Sequence, residues 1–165
     1  MISKKSVGGL AVFLGMSLVV MIFGGLVTNP AIQSGWYGLL EKPAFNPPSW
    51  VFGPVWTILY VLMAFSAWLV WERADQKAVK IPLLLFFVQL FLNGMWSSLF
   101  FGMGRPDLAF AEILVLWVFI LTVTVMFYRV QPAAGLLLIP YLAWVSFAVI
   151  LNGFIWQLNP VIPQL

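Results

Sequence analysis

The sequence predicts an all-α membrane protein, a bundle of five transmembrane helices with a long aromatic and proline-rich loop between the first two. Three observations lead there. Only 8% of the 165 residues are charged and 63% are hydrophobic, whereas a soluble domain carries roughly 25% charged residues. The charges are also clustered: none falls at 6–40, 43–71, 81–104 or 130–165, and Glu112 alone interrupts 108–128. A spanning helix needs about 20 apolar residues, and five such runs are present. Finally, the runs are apolar on all sides and about twice as long as the roughly 10-residue alternating strands of a barrel.

The expected spans are 7–28, 50–71, 81–101, 108–128 and 134–156, all in a single domain covering 1–165. The start, MISKK before an apolar run, resembles a signal peptide. The run is too long for one and no small-residue cleavage site closes it, so it reads as a retained first span. Asn29-Pro30 is expected to stop the first helix, and Pro47-Pro48 precedes the second, where first-turn amides lack partners anyway. Pro82 opens the third. Arg105-Pro106 separates the third from the fourth and Gln131-Pro132 the fourth from the fifth. Pro54 and Pro140 fall inside or near first turns, beside Trp56 and Tyr141.

With five spans the two ends face opposite sides. Lys4, Lys5, Arg73, Lys77, Lys80 and Arg129 lie on one side, and only Lys42 and Arg105 on the other. That asymmetry puts the amino terminus in the cytoplasm if the protein sits in a cell membrane, with the aromatic loop outward. The net charge of +3 reflects loop cations beside lipid and implies no nucleic-acid partner. Cysteine and histidine are both absent, which excludes disulfides, thiolate sites, the commonest general base and the usual haem and transition-metal ligand. No metal site and no required cofactor are expected.

The tract 36–60 reads as a lid over a pocket, because a simple connection has no use for Trp36, Tyr37, Phe45, Trp50, Phe52, Trp56 and Tyr60. Three helix faces could line that pocket: Trp56, Tyr60 and Met63; Asn93, Trp96 and Phe100; Trp144, Ala148 and Leu151, with Tyr141 one turn before Trp144. Each spacing places its residues on one side of a helix. Trp36, Trp50, Trp71 and Trp156 stand near span ends and fit an interfacial belt. Trp56, Trp96 and Trp144 lie deeper and fit a ligand wall better. Asn93 has two readings, an interhelical hydrogen bond worth about 0.6 kcal/mol or a group that orients a ligand carbonyl. Glu112 is costly at depth, and a neutralised or snorkelling carboxylate near Arg105 competes with a functional one. Gly94, Ser98 and Gly102 form a small-residue stripe that suits either a homodimer or packing within the monomer.

Several ordered motifs resemble one family. They are W-Y-x-x-L-x-K-P at 36–43, N-P-P-x-W-V-F-G-P-V-W at 46–56, L-N-x-x-W at 92–96, F-F-G at 100–102, P-Y-L-A-W at 140–144 and L-N at 151–152. The chain is similar to the translocator protein family, also known as TspO/MBR, tryptophan-rich sensory proteins or peripheral benzodiazepine receptors. The resemblance implies a five-helix bundle, often dimeric, with a cavity roofed by the first loop. It also implies porphyrins such as protoporphyrin IX, cholesterol or synthetic hydrophobic compounds as ligands. Carried over, the ligand-binding residues are Trp36, Tyr37, Pro47, Trp56, Tyr60, Asn93, Trp96, Trp144, Ala148 and Leu151, to which the spacing adds Tyr141. Animal members carry a cholesterol-recognition pattern late in the fifth helix. Here Gly153 stands where its tyrosine is expected and Gln157 where its cation is, which speaks against a sterol and for a bacterial member with a tetrapyrrole ligand.

Three functions are expected on these grounds. The first is a membrane receptor or transporter for porphyrin, with Lys42 contacting either a propionate or a lipid headgroup. The second is light-dependent porphyrin oxidation, for which Trp56 and Trp144 would be the only catalytic candidates. The third is a regulatory protein whose first loop responds to ligand. The expected location is a bacterial cell membrane, an outer membrane being the alternative.

Overall fold

Five long helices dominate the computed structural model, which describes residues 4–160; residues 1–3 and 161–165, the ends of the expected single domain, lie outside the described residues. The helices are α1 (Lys4–Gln33), the one-turn α2 (Trp36–Leu39), α3 (Phe52–Trp71), α4 (Lys80–Ser97), α5 (Pro106–Val130) and α6 (Pro132–Leu158). A 3₁₀ turn, Ser49–Val51, leads into α3, and a π turn, Ser98–Gly102, ends α4. Among the described residues, five helical segments are long and apolar enough to cross a membrane. A helix satisfies its own backbone hydrogen bonds, which lipid cannot do.

Prolines mark helix starts as expected: Pro106 and Pro132 occupy the first turns of α5 and α6, and Pro54 the first turn of α3. Two expectations need correction. Asn29-Pro30 does not stop α1, which continues to Gln33 with Pro30 inside it. Proline removes one bond, to the Leu26 carbonyl four residues back, and α1 carries on past it: the Pro30 carbonyl accepts from the Ser34 N–H at 2.8 Å. The turn falls instead at Gly35, whose φ of 82° suits glycine. The expected long loop is therefore shortened by an extra turn of α1 and by α2. Pro140 likewise lies well inside α6, which starts at Pro132.

The bundle closes in the order α1, α3, α6, α5, α4 and back to α1. Its main core is built from Met63, Ala64, Ala67 and Val70 of α3, Phe86 and Leu90 of α4, Leu116, Ile120 and Phe127 of α5, and Leu138 and Val145 of α6. At this end α1 is fastened to α3: Trp68 Nε1 donates to the Ser6 carbonyl at 3.0 Å, and the Trp71 ring lies against Gly9. A second, smaller cluster at the opposite end joins Ala31, Trp36, Tyr37 and Leu40 to Phe100, Ala109, Leu151 and Ile155. The aromatic connection thus has its own core.

The small-residue stripe is used within the chain. A Cβ on Gly94 would touch Phe23 and Val20 of α1 at 3.6 Å, and one on Gly102 would meet Val27 at 3.1 Å. Ser98 Oγ donates to the Gly94 carbonyl. The monomer-packing alternative accounts for Gly94 and Gly102 without a second subunit.

Candidate functional site

Between the two clusters lies a cavity of about 500 Å³ walled by α1, α3, α4, α6 and the connection, a size within the roughly 300–1,000 Å³ of small-ligand sites. The indoles of Trp56, Trp96 and Trp144 arrive from three helices and all face it, together with Tyr37, Tyr60, Asn93, Ala148 and Leu151. Eight of the eleven expected ligand residues therefore share one wall. The rings are mutually braced. Trp56 tilts against Tyr60 at 5.6 Å and meets Tyr141 edge-on at 6.2 Å, Phe52 stands edge-on to Trp144 at 5.9 Å, and Trp96 stacks on Phe100 at 5.1 Å.

The π turn explains how Phe100 and Phe101 both reach the wall. Its i+5 bond, Met103 N–H to the Ser98 carbonyl at 2.8 Å, adds a residue to the turn and rotates the side chains along it; such turns recur at functional sites.

Three expected residues stand elsewhere. Trp36 is buried, not interfacial, and packs edge-on against Phe100 at 6.0 Å, behind the wall. Pro47 is also off the wall; its carbonyl accepts from Asn46 Nδ2, and Asn46 Oδ1 accepts from the Tyr37 hydroxyl at 3.2 Å. Tyr141 is fully buried beneath the floor. Motif and periodicity give a loop position or a helix face, and neither carries depth.

Two hydrogen-bond chains hold the wall. In the first, the Tyr60 hydroxyl donates to Asn93 Oδ1 at 2.5 Å, Asn93 Nδ2 donates to the Tyr141 hydroxyl at 3.1 Å, and Tyr141 donates to Gln89 Oε1 at 2.8 Å. Asn93 therefore joins α3, α4 and α6, which is the first of its two readings, while its side chain still borders the cavity. In the second chain, Trp96 Nε1 donates to Asn152 Oδ1 at 3.0 Å and Asn152 Nδ2 donates to the Pro106 carbonyl at 2.8 Å. Asn152 is buried and fixes the plane of the Trp96 ring.

Periodicity on α3, α4 and α6 did not reveal the contribution of α1: Met21, Gly24, Gly25, Thr28 and Ile32 line the cavity. Met21, Gly25, Thr28 and Ile32 recur at helical spacing and so share one face of α1. Trp50 is 76% exposed, as a belt residue would be, and also reaches the rim.

Among the described residues, no charged group lines this wall. Lys42 Nζ donates to the Leu40 carbonyl at 2.7 Å and sits 4.7 Å from the centre of the Tyr37 ring; burial lowers its pKa. Burial raises that of Tyr37, offset in part by the Asn46 hydrogen bond. Arg105 pairs with Asp107 at 2.5 Å, not with Glu112. Both Glu112 oxygens are buried without a hydrogen-bond partner among the described residues, so the snorkelling reading does not hold. A side chain turned into the α5 interface cannot reach a cation at the helix end.

Sequence comparison agrees with the geometry. Residues 13–157 match the model of the TspO/MBR family. The chain belongs to this family. It is 43% identical over 161 residues to the tryptophan-rich protein TspO of Chlorobaculum tepidum, covering 95% of this chain and 99% of that protein. The tryptophan-rich protein TspO of Archaeoglobus fulgidus is 40% identical over 144 residues, 86% and 91% of the two chains. The translocator protein of Homo sapiens is 42% identical over 127 residues, 75% of each. TspO/MBR membership and the five apolar helices together make this a multi-pass integral membrane protein.

Proposed function

We propose that this protein is a membrane receptor or transporter that binds a porphyrin such as protoporphyrin IX in the aromatic cavity, with the connection between α1 and α3 as its roof. The observation that carries the reading is that Trp56, Trp96 and Trp144, from three separate helices, all face one cavity. Flat indole faces suit a planar conjugated guest, since offset stacking adds about 0.5–1.5 kcal/mol per ring pair beyond burial. The few polar groups on the wall fit a ligand that is mostly apolar. The bacterial cell membrane is the proposed location, because helical spans rather than barrel strands suit it.

Quenching of tryptophan fluorescence by protoporphyrin IX is the direct test. Trp56→Phe and Trp144→Phe are each expected to weaken binding severalfold; unchanged affinity in both would remove the cavity assignment. A second reading, light-dependent oxidation of the bound porphyrin by oxygen, is favoured by the position of both indoles on the wall. It requires that products form only under illumination and that loss of Trp56 and Trp144 abolishes them.

A further inference from the structure

Beyond the wall itself, a side-chain amide ties the backbone of the roof to the end of α6. Residues around Glu41 are extended: Leu40 has ψ 137° and Pro43 comes two residues after Glu41. An extended segment has backbone donors and acceptors that need partners from elsewhere. Asn159, at the carboxyl end of α6, supplies both. The Glu41 N–H donates to Asn159 Oδ1 at 2.9 Å, and Asn159 Nδ2 donates back to the Glu41 carbonyl at 2.9 Å. Its second Nδ2 proton goes to the Ile155 carbonyl at 2.7 Å, inside α6. A primary amide has one acceptor and two donor protons in a plane, so it pairs with one residue's backbone as a neighbouring strand would. The side chain is buried, and 118 residues separate the two partners.

The position of this pair gives it leverage. On one side of Glu41, Tyr37 packs against Phe101 at 5.6 Å and lines the cavity. On the other, Phe45 stands edge-on to Phe154 of α6 at 5.4 Å. Ring contacts of that kind tolerate sliding, whereas the paired amide fixes position and direction. Asn159 itself does not border the cavity.

We infer that Asn159 is a latch: its two-point hydrogen bond to Glu41 holds the roof shut, and the rate at which this pair opens governs passage of a ligand into and out of the cavity. The inference rests on the cavity being the ligand site. Because Asn159 touches no guest, the latch weighs equally on the empty and the filled protein. Breaking it therefore accelerates entry and exit together and leaves the equilibrium constant nearly unchanged. Loss of a wall residue does the opposite, acting mainly on exit.

The experiment uses the full chain in lipid nanodiscs. Amide hydrogen exchange at Glu41 is measured in ligand-free wild type, Asn159→Asp and Asn159→Ala, and protoporphyrin IX association and dissociation are followed by stopped-flow quenching. Aspartate keeps the size and sets an oxygen against the Glu41 and Ile155 carbonyls; alanine removes the group without that repulsion, so one variant serves if the other misfolds. The expected result is Glu41 exchange at least about tenfold faster in both variants, with both rates up about tenfold, the scale of one to two lost hydrogen bonds. The dissociation constant is expected to move less than about threefold. A Glu41 amide that exchanges freely in wild type, porphyrin rates that do not change, or a rise in dissociation alone would each overturn the latch. Wild type that binds no porphyrin at all would instead overturn the cavity reading and the gate with it.

Discussion

Asn93 is the point at which three helices meet, and its replacement tests whether the cavity floor is held by hydrogen bonds or merely by packing. Asn93→Leu keeps the volume and removes both bonds, the one accepted from Tyr60 at 2.5 Å and the one donated to Tyr141 at 3.1 Å. Interhelical hydrogen bonds in membranes average about 0.6 kcal/mol each, so the pair accounts for about 1.2 kcal/mol. A greater cost falls on one partner only. Tyr141 keeps Gln89 as its acceptor at 2.8 Å, but the buried Tyr60 hydroxyl is left with none, which costs about 1–3 kcal/mol. The expected total is about 2–4 kcal/mol. Reversible unfolding in mixed detergent micelles, followed by circular dichroism, measures it, and a double-mutant cycle with Tyr60→Phe isolates the cause. With the hydroxyl already removed, neither its bond nor its orphaning counts, and Asn93→Leu should cost about 1.5–3.5 kcal/mol less than in wild type. Equal cost in both backgrounds, within about 0.5 kcal/mol, would refute the reasoning.

Single contacts elsewhere carry their own expected outcomes. Asn152→Leu strips the acceptor from Trp96 Nε1 and the donor from the Pro106 carbonyl, and should weaken porphyrin quenching about threefold to tenfold, as loss of roughly one net hydrogen bond would. Gly135→Ala places a Cβ 2.5 Å from Tyr128 Cβ and 2.7 Å from its Cα; with backbone unable to yield, the same unfolding assay should show a loss of about 1–3 kcal/mol. Gly8→Ala, which meets nothing within 4 Å, should leave stability unchanged or slightly higher. Glu112→Leu removes two buried oxygens that have no partner among the described residues and should stabilise the bundle by about 1–3 kcal/mol; a loss of that size would show that the carboxyl has a bonding role.

The number and class of the spans were legible because they depend on quantities local to the chain. Charge-free runs and the prolines at 106 and 132 set where spans begin, and helical periodicity placed Trp56, Trp96 and Trp144 on faces that border one cavity. Depth was not legible. Trp36 and Tyr141 have the same residue chemistry as wall residues, yet one lies behind the wall and the other beneath the floor. The face of α1 was missed because glycine, threonine and methionine are ordinary in a span and become informative only once their neighbours are known.

A five-span helical membrane protein and its kinship can be read from the chain alone, since burying a backbone in lipid leaves few options and the motifs run in order along nearly the whole length. The partners those residues take come only from the packed bundle. Asn93 serves Tyr60 and Tyr141, Asn152 orients Trp96, and Asn159 reaches across to Glu41. A side-chain amide has donors and an acceptor that any of many groups can satisfy. The choice among them is made by the packing of helices far apart in the chain, which no local pattern encodes.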